Sequence, residues 1–216
     1  MKIGILGGTF NPIHNAHLRI AEEARDHFGL DRVIFIPAAT PPHKPQVDEL
    51  SFASRIEMVR LAVADNPCFS VSDLEGVRGG CSYSIDTLRG LRLEFPDDEL
   101  FFIIGADSFN DIATWREYGA IFALCNVVCM QRPGSTFESL AKALPVAIGR
   151  EFCYHESAKK LSHSSGHGVY ALDGVLLDIS SSHIRSLVRG GRSIRYLVPD
   201  AVEHYIKGQR LYIDAR

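Results

Sequence analysis

Lys2-Ile3-Gly4-Ile5-Leu6-Gly7-Gly8-Thr9-Phe10-Asn11-Pro12-Ile13-His14-Asn15-Ala16-His17 decides the fold. Lys2 to Leu6 reads as a strand: short, β-branched and ended by a glycine pair. A helix follows over Asn15 to Phe28, where Leu18, Ala21, Ala24, Arg25 and Phe28 recur near a 3.6-residue period. Gly29 closes it as a C-terminal cap. Glycines let a backbone turn tightly and approach a ligand. A helix N-terminus adds unpaired N–H groups and the positive end of a dipole. The segment Gly7 to His17 therefore points to binding of a nucleotide's phosphates.

His14 and His17 are three apart and share one side of the helix start. Two other readings compete: a metal-binding pair, and a plain glycine turn with two surface histidines. A helix N-terminus is a poor place for a cation, and no nearby carboxylate or cysteine completes a ligand set. The segment contains neither G-x-G-x-x-G nor G-x-x-x-x-G-K-[ST], which excludes the usual dinucleotide fingerprint and the P-loop.

Working outward, Arg32 to Ile36, Cys68 to Val71, Leu100 to Ile104 and Asn126 to Met130 read as strands. Val169 to Asp178 holds one more. Helices are expected over Leu50 to Ala64, Ser84 to Phe95, about Trp115 to Leu124, Ser182 to Val188 and Pro199 to Ile206. Leu100 to Ile104 is apolar throughout, the pattern of a strand buried on both faces. Alternating strands and helices imply an α/β fold: a Rossmann-like, doubly wound parallel sheet with helices on both faces. Loops are expected at Pro37 to Glu49 and about Arg132 to His167. The expected organisation is one domain over residues 1–216, with a small helical C-terminal part at about 180–210. In open sheets of this kind, ligands sit at the carboxyl ends of the strands.

Composition agrees. Of 216 residues, 46% are hydrophobic and 23% charged, which suits a packed core. A net charge of −3 argues against a nucleic-acid-coating surface. The longest apolar stretches fall far short of the roughly 20 residues that span a bilayer. No signal peptide is evident at the start, so a cytoplasmic location is expected. Five cysteines, an odd number, fit reduced thiols. Cys125 and Cys129, in an apolar stretch, read as buried core thiols rather than metal ligands.

Near the other end stands Ile179-Ser180-Ser181-Ser182-His183-Ile184-Arg185. Serines cap helix starts well, and Arg185, three residues on from Ser182, can face the same ligand. Alone, this is an ordinary capped helix. Together with the glycine loop and its H-x-x-H it is a specific combination.

The two motifs resemble those of the nucleotidyltransferase superfamily with the H-x-G-H signature. From Lys2 to about Tyr205 the chain is similar to the bacterial nicotinate-nucleotide adenylyltransferase family. The similarity includes Gly7 to His17, Pro-Pro-His-Lys at Pro41 to Lys44 and Tyr-Ser-Ile-Asp-Thr-Leu at Tyr83 to Leu88. It also includes Gly-Ala-Asp-Ser-Phe at Gly105 to Phe109, Trp115, and Ile179 to Ser182. Two positions depart: the family more often has Asp where Asn11 stands and Gly where Ala16 stands.

The resemblance implies transfer of the adenylyl group of ATP to nicotinate mononucleotide, giving deamido-NAD and pyrophosphate, with Mg²⁺ accompanying ATP. The acceptor's phosphate is already ionised at pH 7, so no general base is needed. What the reaction needs is in-line positioning and charge neutralisation. His14, His17, Lys44 and Arg185 are the implied catalytic cations and donors. ATP is expected against Gly7, Gly8, Thr9, Phe10, His14, His17, Gly105, Asp107, Ile179, Ser180, Ser181, Ser182 and Arg185. The mononucleotide is expected against Thr40, Tyr83, Thr87, Asp107 and Trp115, with the indole stacked on its pyridine ring and the Tyr83 and Thr87 hydroxyls donating. The chain is expected to act on small molecules, without nucleic acid or membrane, and to be a possible homo-oligomer. Other acceptors, such as nicotinamide mononucleotide, compete with this reading. From a different class, so does a non-catalytic nucleotide sensor.

Overall fold

The computed structural model describes residues 1–42, 50–130, 142–155, 160–175 and 177–213. The strands are β1 (Lys2–Gly8), β2 (Arg32–Pro37), β3 (Phe69–Val71), β4 (Glu99–Gly105), β5 (Asn126–Met130), β6 (Phe152–His155), β7 (Lys160–His163) and β8 (Gly168–Leu172). The helices are α1 (Asn15–Phe28), α2 (Phe52–Val63), α3 (Leu74–Arg78), α4 (Ser84–Glu94), α5 (Ala106–Asn110), α6 (Tyr118–Leu124), α7 (Val146–Gly149), α8 (Ser181–Arg189) and α9 (Asp200–Gly208).

The strands form one sheet in the order β3-β2-β1-β4-β5-β8-β7-β6. From β3 to β8 neighbouring strands run parallel; β7 lies antiparallel to both β8 and β6. The doubly wound parallel sheet expected from the alternation is present. Connections leave β1 toward β2 on one side, and later pass to β4 on the other. The topological switch point therefore lies between β1 and β4, where such sheets bind ligands.

Each buried strand serves two cores, because successive side chains point to opposite faces. On β4, Phe101 and Ile103 join one cluster while Leu100, Phe102 and Ile104 join the other. That two-sided burial explains why Leu100 to Ile104 is apolar throughout. Helices α1 and α2 cover the first face; α4 and α6 cover the second. Cys125 and Cys129 are both buried in the second cluster, as the apolar setting implied, and burial raises each thiol to about 12.

Helix α1 ends as expected, with Gly29 in the left-handed region at φ 59°. The C-terminal helices are part of the main core. Ile184, Leu187, Val202 and Ile206 share a cluster with Leu6, Phe10 and Ile13.

One expectation fails. The stretch Arg132 to His167, read as a loop, contains α7, β6 and β7. Each of these strands is four residues long, and β6 is half-buried to exposed. Such short segments, with little surface to bury, carry no periodic signal. Helices α3 and α5, five residues each, are likewise too short to show a helical period.

Arg55 lies fully buried on the apolar face of α2 and satisfies three backbone carbonyls. Nε donates to Leu50 O at 3.1 Å, Nη1 to Thr9 O at 2.8 Å and Nη2 to Ala39 O at 3.2 Å. It thus ties the loop after β1 to the loop after β2. Arg55→Met fills the space but leaves buried acceptors unpaired, at about 1–3 kcal/mol each. We expect it to lower stability by roughly 3 kcal/mol in urea unfolding. A loss below about 1 kcal/mol would contradict this role.

Candidate functional site

The loop after β1 is shaped by contacts on both sides. Phe10 adopts φ 47°, unusual for a residue with a side chain, and its ring is buried against Gly8. A Cβ on Gly8 would meet that ring at 3.0 Å, so glycine is the residue that admits it. The same ring packs edge-on against His17, with centroids 5.0 Å apart.

His14 is the N-cap of α1 and is buried. Its backbone N–H donates to Nδ1 of His17 at 3.2 Å. A neutral His17 therefore carries its proton on Nε2, and the ring lines the cleft described below. The two imidazoles stack with centroids 3.7 Å apart. Burial lowers His14 to about 4, so it is neutral at pH 7.

Three groups hold the loop's carbonyls from the far side. Arg55 takes Thr9 O. Arg185 Nη1 donates to Asn11 O at 2.8 Å, and Ser181 Oγ donates to Pro12 O at 2.9 Å. Ser180 caps α8, its Oγ accepting from His183 N–H at 3.2 Å. The two terminal motifs, some 170 residues apart, are thus in direct contact. Ser182 is exposed and Ile179 half-buried; neither lines the cleft, and nor do Ser181 and Arg185, which lie behind the loop.

A cleft of about 580 Å³ opens at the carboxyl ends of β1 and β4. Gly7, Gly8, Thr9 and His17 line one part and Gly105 the β4 end. Tyr83, Thr87 and Trp115 line another. Trp115 is half-buried and meets Phe102 edge-on at 6.2 Å. The expected nucleotide loop and the expected acceptor wall therefore face one cavity.

Several expectations need correction. The Thr87 hydroxyl is committed within the protein, donating to Glu75 Oε1 at 2.6 Å and accepting from Arg78 Nη1 at 3.1 Å. Asp107 is exposed and does not line the cleft; Ser108 and Asp111 do. Helix α5 begins at Ala106, and positions three apart share a face, so the exposed residues 108 and 111 lie together along the cleft. Thr40 is exposed and also off the lining; its N–H donates to Ser82 Oγ at 3.0 Å. Lys44 lies outside the described residues.

Other residues were missed. Buried Glu75 accepts from the Ala39 N–H at 3.3 Å as well as from Thr87. Tyr212 O–H donates to Asn11 Oδ1 at 2.7 Å, so the C-terminal segment also holds the loop. Arg55 had a signal: it sits three residues from Phe52 and four from Val59, on the apolar stripe of α2. Glu75 and Tyr212 had none. Of the two positions that depart from the family pattern, Asn11 is held by Tyr212 and Arg185, and Ala16 is helical and buried.

The His14 shift carries a pH dependence. Its folded value lies below the ordinary histidine value of 6.5, so the unfolded chain binds the proton more readily. The stability it contributes is full above pH 6.5 and is lost as pH falls toward 4. We expect a loss of roughly 2 kcal/mol between pH 7 and pH 5 from this group. Urea midpoints of the wild type should fall more over that range than those of His14→Gln; equal slopes would refute the assignment.

A model of the cytidylyltransferase-like family matches residues 5–187. A protein of Citrifermentans bemidjiense, named a probable nicotinate-nucleotide adenylyltransferase, is 80% identical over all of both chains. One of Geobacter metallireducens with the same name is 65% identical, again over all of both. Among solved structures, a Plasmodium falciparum nicotinic acid mononucleotide adenylyltransferase complexed with NaAD superposes with a TM-score of 0.74. It is 19% identical and covers 98% of this chain and 97% of that one, which speaks to the fold alone. The chain belongs to the cytidylyltransferase-like family and, within it, to the nicotinate-nucleotide adenylyltransferases.

Proposed function

We propose that this protein transfers the adenylyl group of ATP to nicotinate mononucleotide, giving deamido-NAD and pyrophosphate, in the cytoplasm. The observation that carries the reading is one cleft at the β1/β4 switch point. It is lined by a glycine–histidine loop on one side and by Tyr83 and Trp115 on another. Residues 1–216 act as one nucleotidyltransferase domain, a reading supported by the core that the C-terminal helices share with the sheet.

In this reaction an oxygen of the acceptor's phosphate attacks the α-phosphorus of ATP. The bond from that phosphorus to the bridging oxygen breaks, and pyrophosphate leaves. The nucleophile is ionised already, so the protein positions two anions in line and stabilises charge on the leaving group. His17 is assigned as a donor to the phosphates through Nε2, an assignment supported by the acceptance of the His14 N–H at Nδ1. His14 acts as a neutral group beside it. Arg185, Ser181 and Ser182 contribute at the start of α8, and Gly7 to Phe10 cradle the nucleotide.

Among the described residues no group of three His, Cys, Asp or Glu side chains could hold a metal ion. The donor set of the loop suits anions. Mg²⁺ would enter with the ATP phosphates rather than on a protein ligand set, and would supply charge neutralisation there beside the glycine–histidine loop. Trp115 stacks on the pyridine ring, a contact of about 0.5–1.5 kcal/mol. Tyr83 hydroxyl lies on the same wall; Thr87, committed to Glu75, shapes that wall.

Removing one preorganised donor typically costs about 10² to 10³ in rate. His17→Ala should lose activity on that scale while keeping a cooperative fold; near-normal turnover would remove His17 from the machinery. The reaction itself is checked by pyrophosphate release from ATP and Mg²⁺ with each acceptor in turn. Nicotinate mononucleotide should turn over fastest. Equal rates with nicotinamide mononucleotide would reject the acceptor, and ATP binding without release on any acceptor would favour a sensor.

A further inference from the structure

ATP and the leaving pyrophosphate are multiply charged anions, yet the cleft wall offers them little cationic side-chain charge. Among the described residues that line it, Arg116 stands against Glu75 and Asp111. Side-chain charge that draws such anions in therefore lies beyond the lining.

Residues 179–199 carry such charge. The stretch holds Arg185, Arg189, Arg192 and Arg195 and no Asp or Glu, while the rest of the chain holds 19 lysines and arginines against 26 acids. Both of its ends are fastened to the loop after β1. At one end Ser181 and Arg185 donate to Pro12 O and Asn11 O. At the other, Asn15 donates to Tyr196 O at 2.7 Å and to Leu197 O at 2.9 Å. The stretch is thus a basic band beside the glycine–histidine loop, and Arg189, Arg192 and Arg195 are exposed on it.

The band keeps its charges in solvent. Tyr196 adopts φ 66°, a left-handed conformation costly for a residue with a side chain, and is 76% exposed. The hydrogen bond from Asn15 to its carbonyl holds that turn in place. The Arg195 guanidinium lies over the Tyr196 ring, 5.4 Å from the centroid. An aromatic face holds a cation without neutralising it. Arg192 is placed by its backbone N–H, which donates to Leu187 O at 2.8 Å. Among the described residues neither the Arg192 nor the Arg195 side chain pairs with a carboxylate. Unpaired charges of one sign beside a cleft act at a distance, and such fields raise association rates by about 10 to 10³.

We infer that this band steers ATP to the cleft, with Arg192 and Arg195 speeding its association while taking no part in the chemical step. The inference rests on the proposed use of ATP, so its test follows ATP binding apart from turnover. Association and dissociation of Mg²⁺-ATP carrying a fluorescent ribose label are measured by stopped flow. The wild type is compared with the double variants Arg192→Gln/Arg195→Gln and Arg192→Lys/Arg195→Lys. Salt is varied from about 0.01 M to about 1 M, over which the Debye length falls from roughly 30 Å to roughly 3 Å. The Gln pair should slow association by about three- to tenfold at the lowest salt, and match the wild type at the highest. Its dissociation rate and kcat should be unchanged. The Lys pair, which keeps the charge and loses the fork, should associate like the wild type throughout.

A Gln pair that associates at the wild-type rate in low salt would overturn the inference. So would a loss that persists in high salt, that the Lys pair shares, or that lies in dissociation, since each marks a direct contact or a packing defect. If labelled ATP associates with this dependence on salt and charge but no acceptor yields pyrophosphate, the proposed reaction fails and the steering stands. If pyrophosphate is released but association is indifferent to the two arginines, the reaction stands and the steering falls.

Discussion

The site depends on one constraint: the carbonyl groups of the turn between β1 and α1 are held from behind. Arg55 takes Thr9 O, Arg185 takes Asn11 O and Ser181 takes Pro12 O. A trans peptide unit is planar, with its C=O and N–H pointing opposite ways. Pinning Thr9 O and Pro12 O therefore turns the Phe10 and Ile13 N–H groups away from those partners. A turn built from glycine and strained Phe10 would otherwise have many conformations. Here the buried Arg55, the half-buried Arg185 and a hydroxyl leave it one.

The same constraint explains why the ends of the chain meet. Arg185 and Ser181 reach the loop only because α8 packs into the core beside Phe10 and Ile13. Tyr212 and the carbonyls of Tyr196 and Leu197 add to the clamp; Asn15 donates to Leu197 O through its backbone at 2.9 Å and to Tyr196 O through its side chain at 2.7 Å. The H-x-x-H motif and the serine cap are thus two faces of one object. Arg55 extends it through Ala39, whose N–H goes to Glu75, and Glu75 holds Thr87 on the opposite wall. The loop after β1 and the cleft wall that carries Thr87 are joined by a short chain of buried and half-buried hydrogen bonds. Polar networks shielded from solvent rigidify a site when every member is paired.

Much of this was legible in the sequence. The glycine pair between an apolar run and a helical period marks the first turn of an α/β sheet. The apolar run Leu100 to Ile104 marks a central strand, since period-2 side chains must serve two cores. Gly29, Ser180 and the buried cysteines could be read because caps and core thiols are decided by neighbours in sequence or by an apolar setting. The antiparallel β6–β7 extension was hidden because four-residue strands bury too little to pattern the sequence.

What the residues determined alone was the chemistry available: imidazoles and N–H groups at a helix start, serines and an arginine at another, one tryptophan. Only the tertiary structure decided which of these face the same space. It set Ser108 and Asp111 on the cleft and left Asp107 off its lining, because a helix advances about 100° per residue from wherever it starts. It committed the Thr87 hydroxyl to Glu75, and set Arg116 over Tyr83 on the wall of the cleft. Residue type follows from sequence, but direction follows from packing, and contacts spanning up to 201 positions leave no local trace to read.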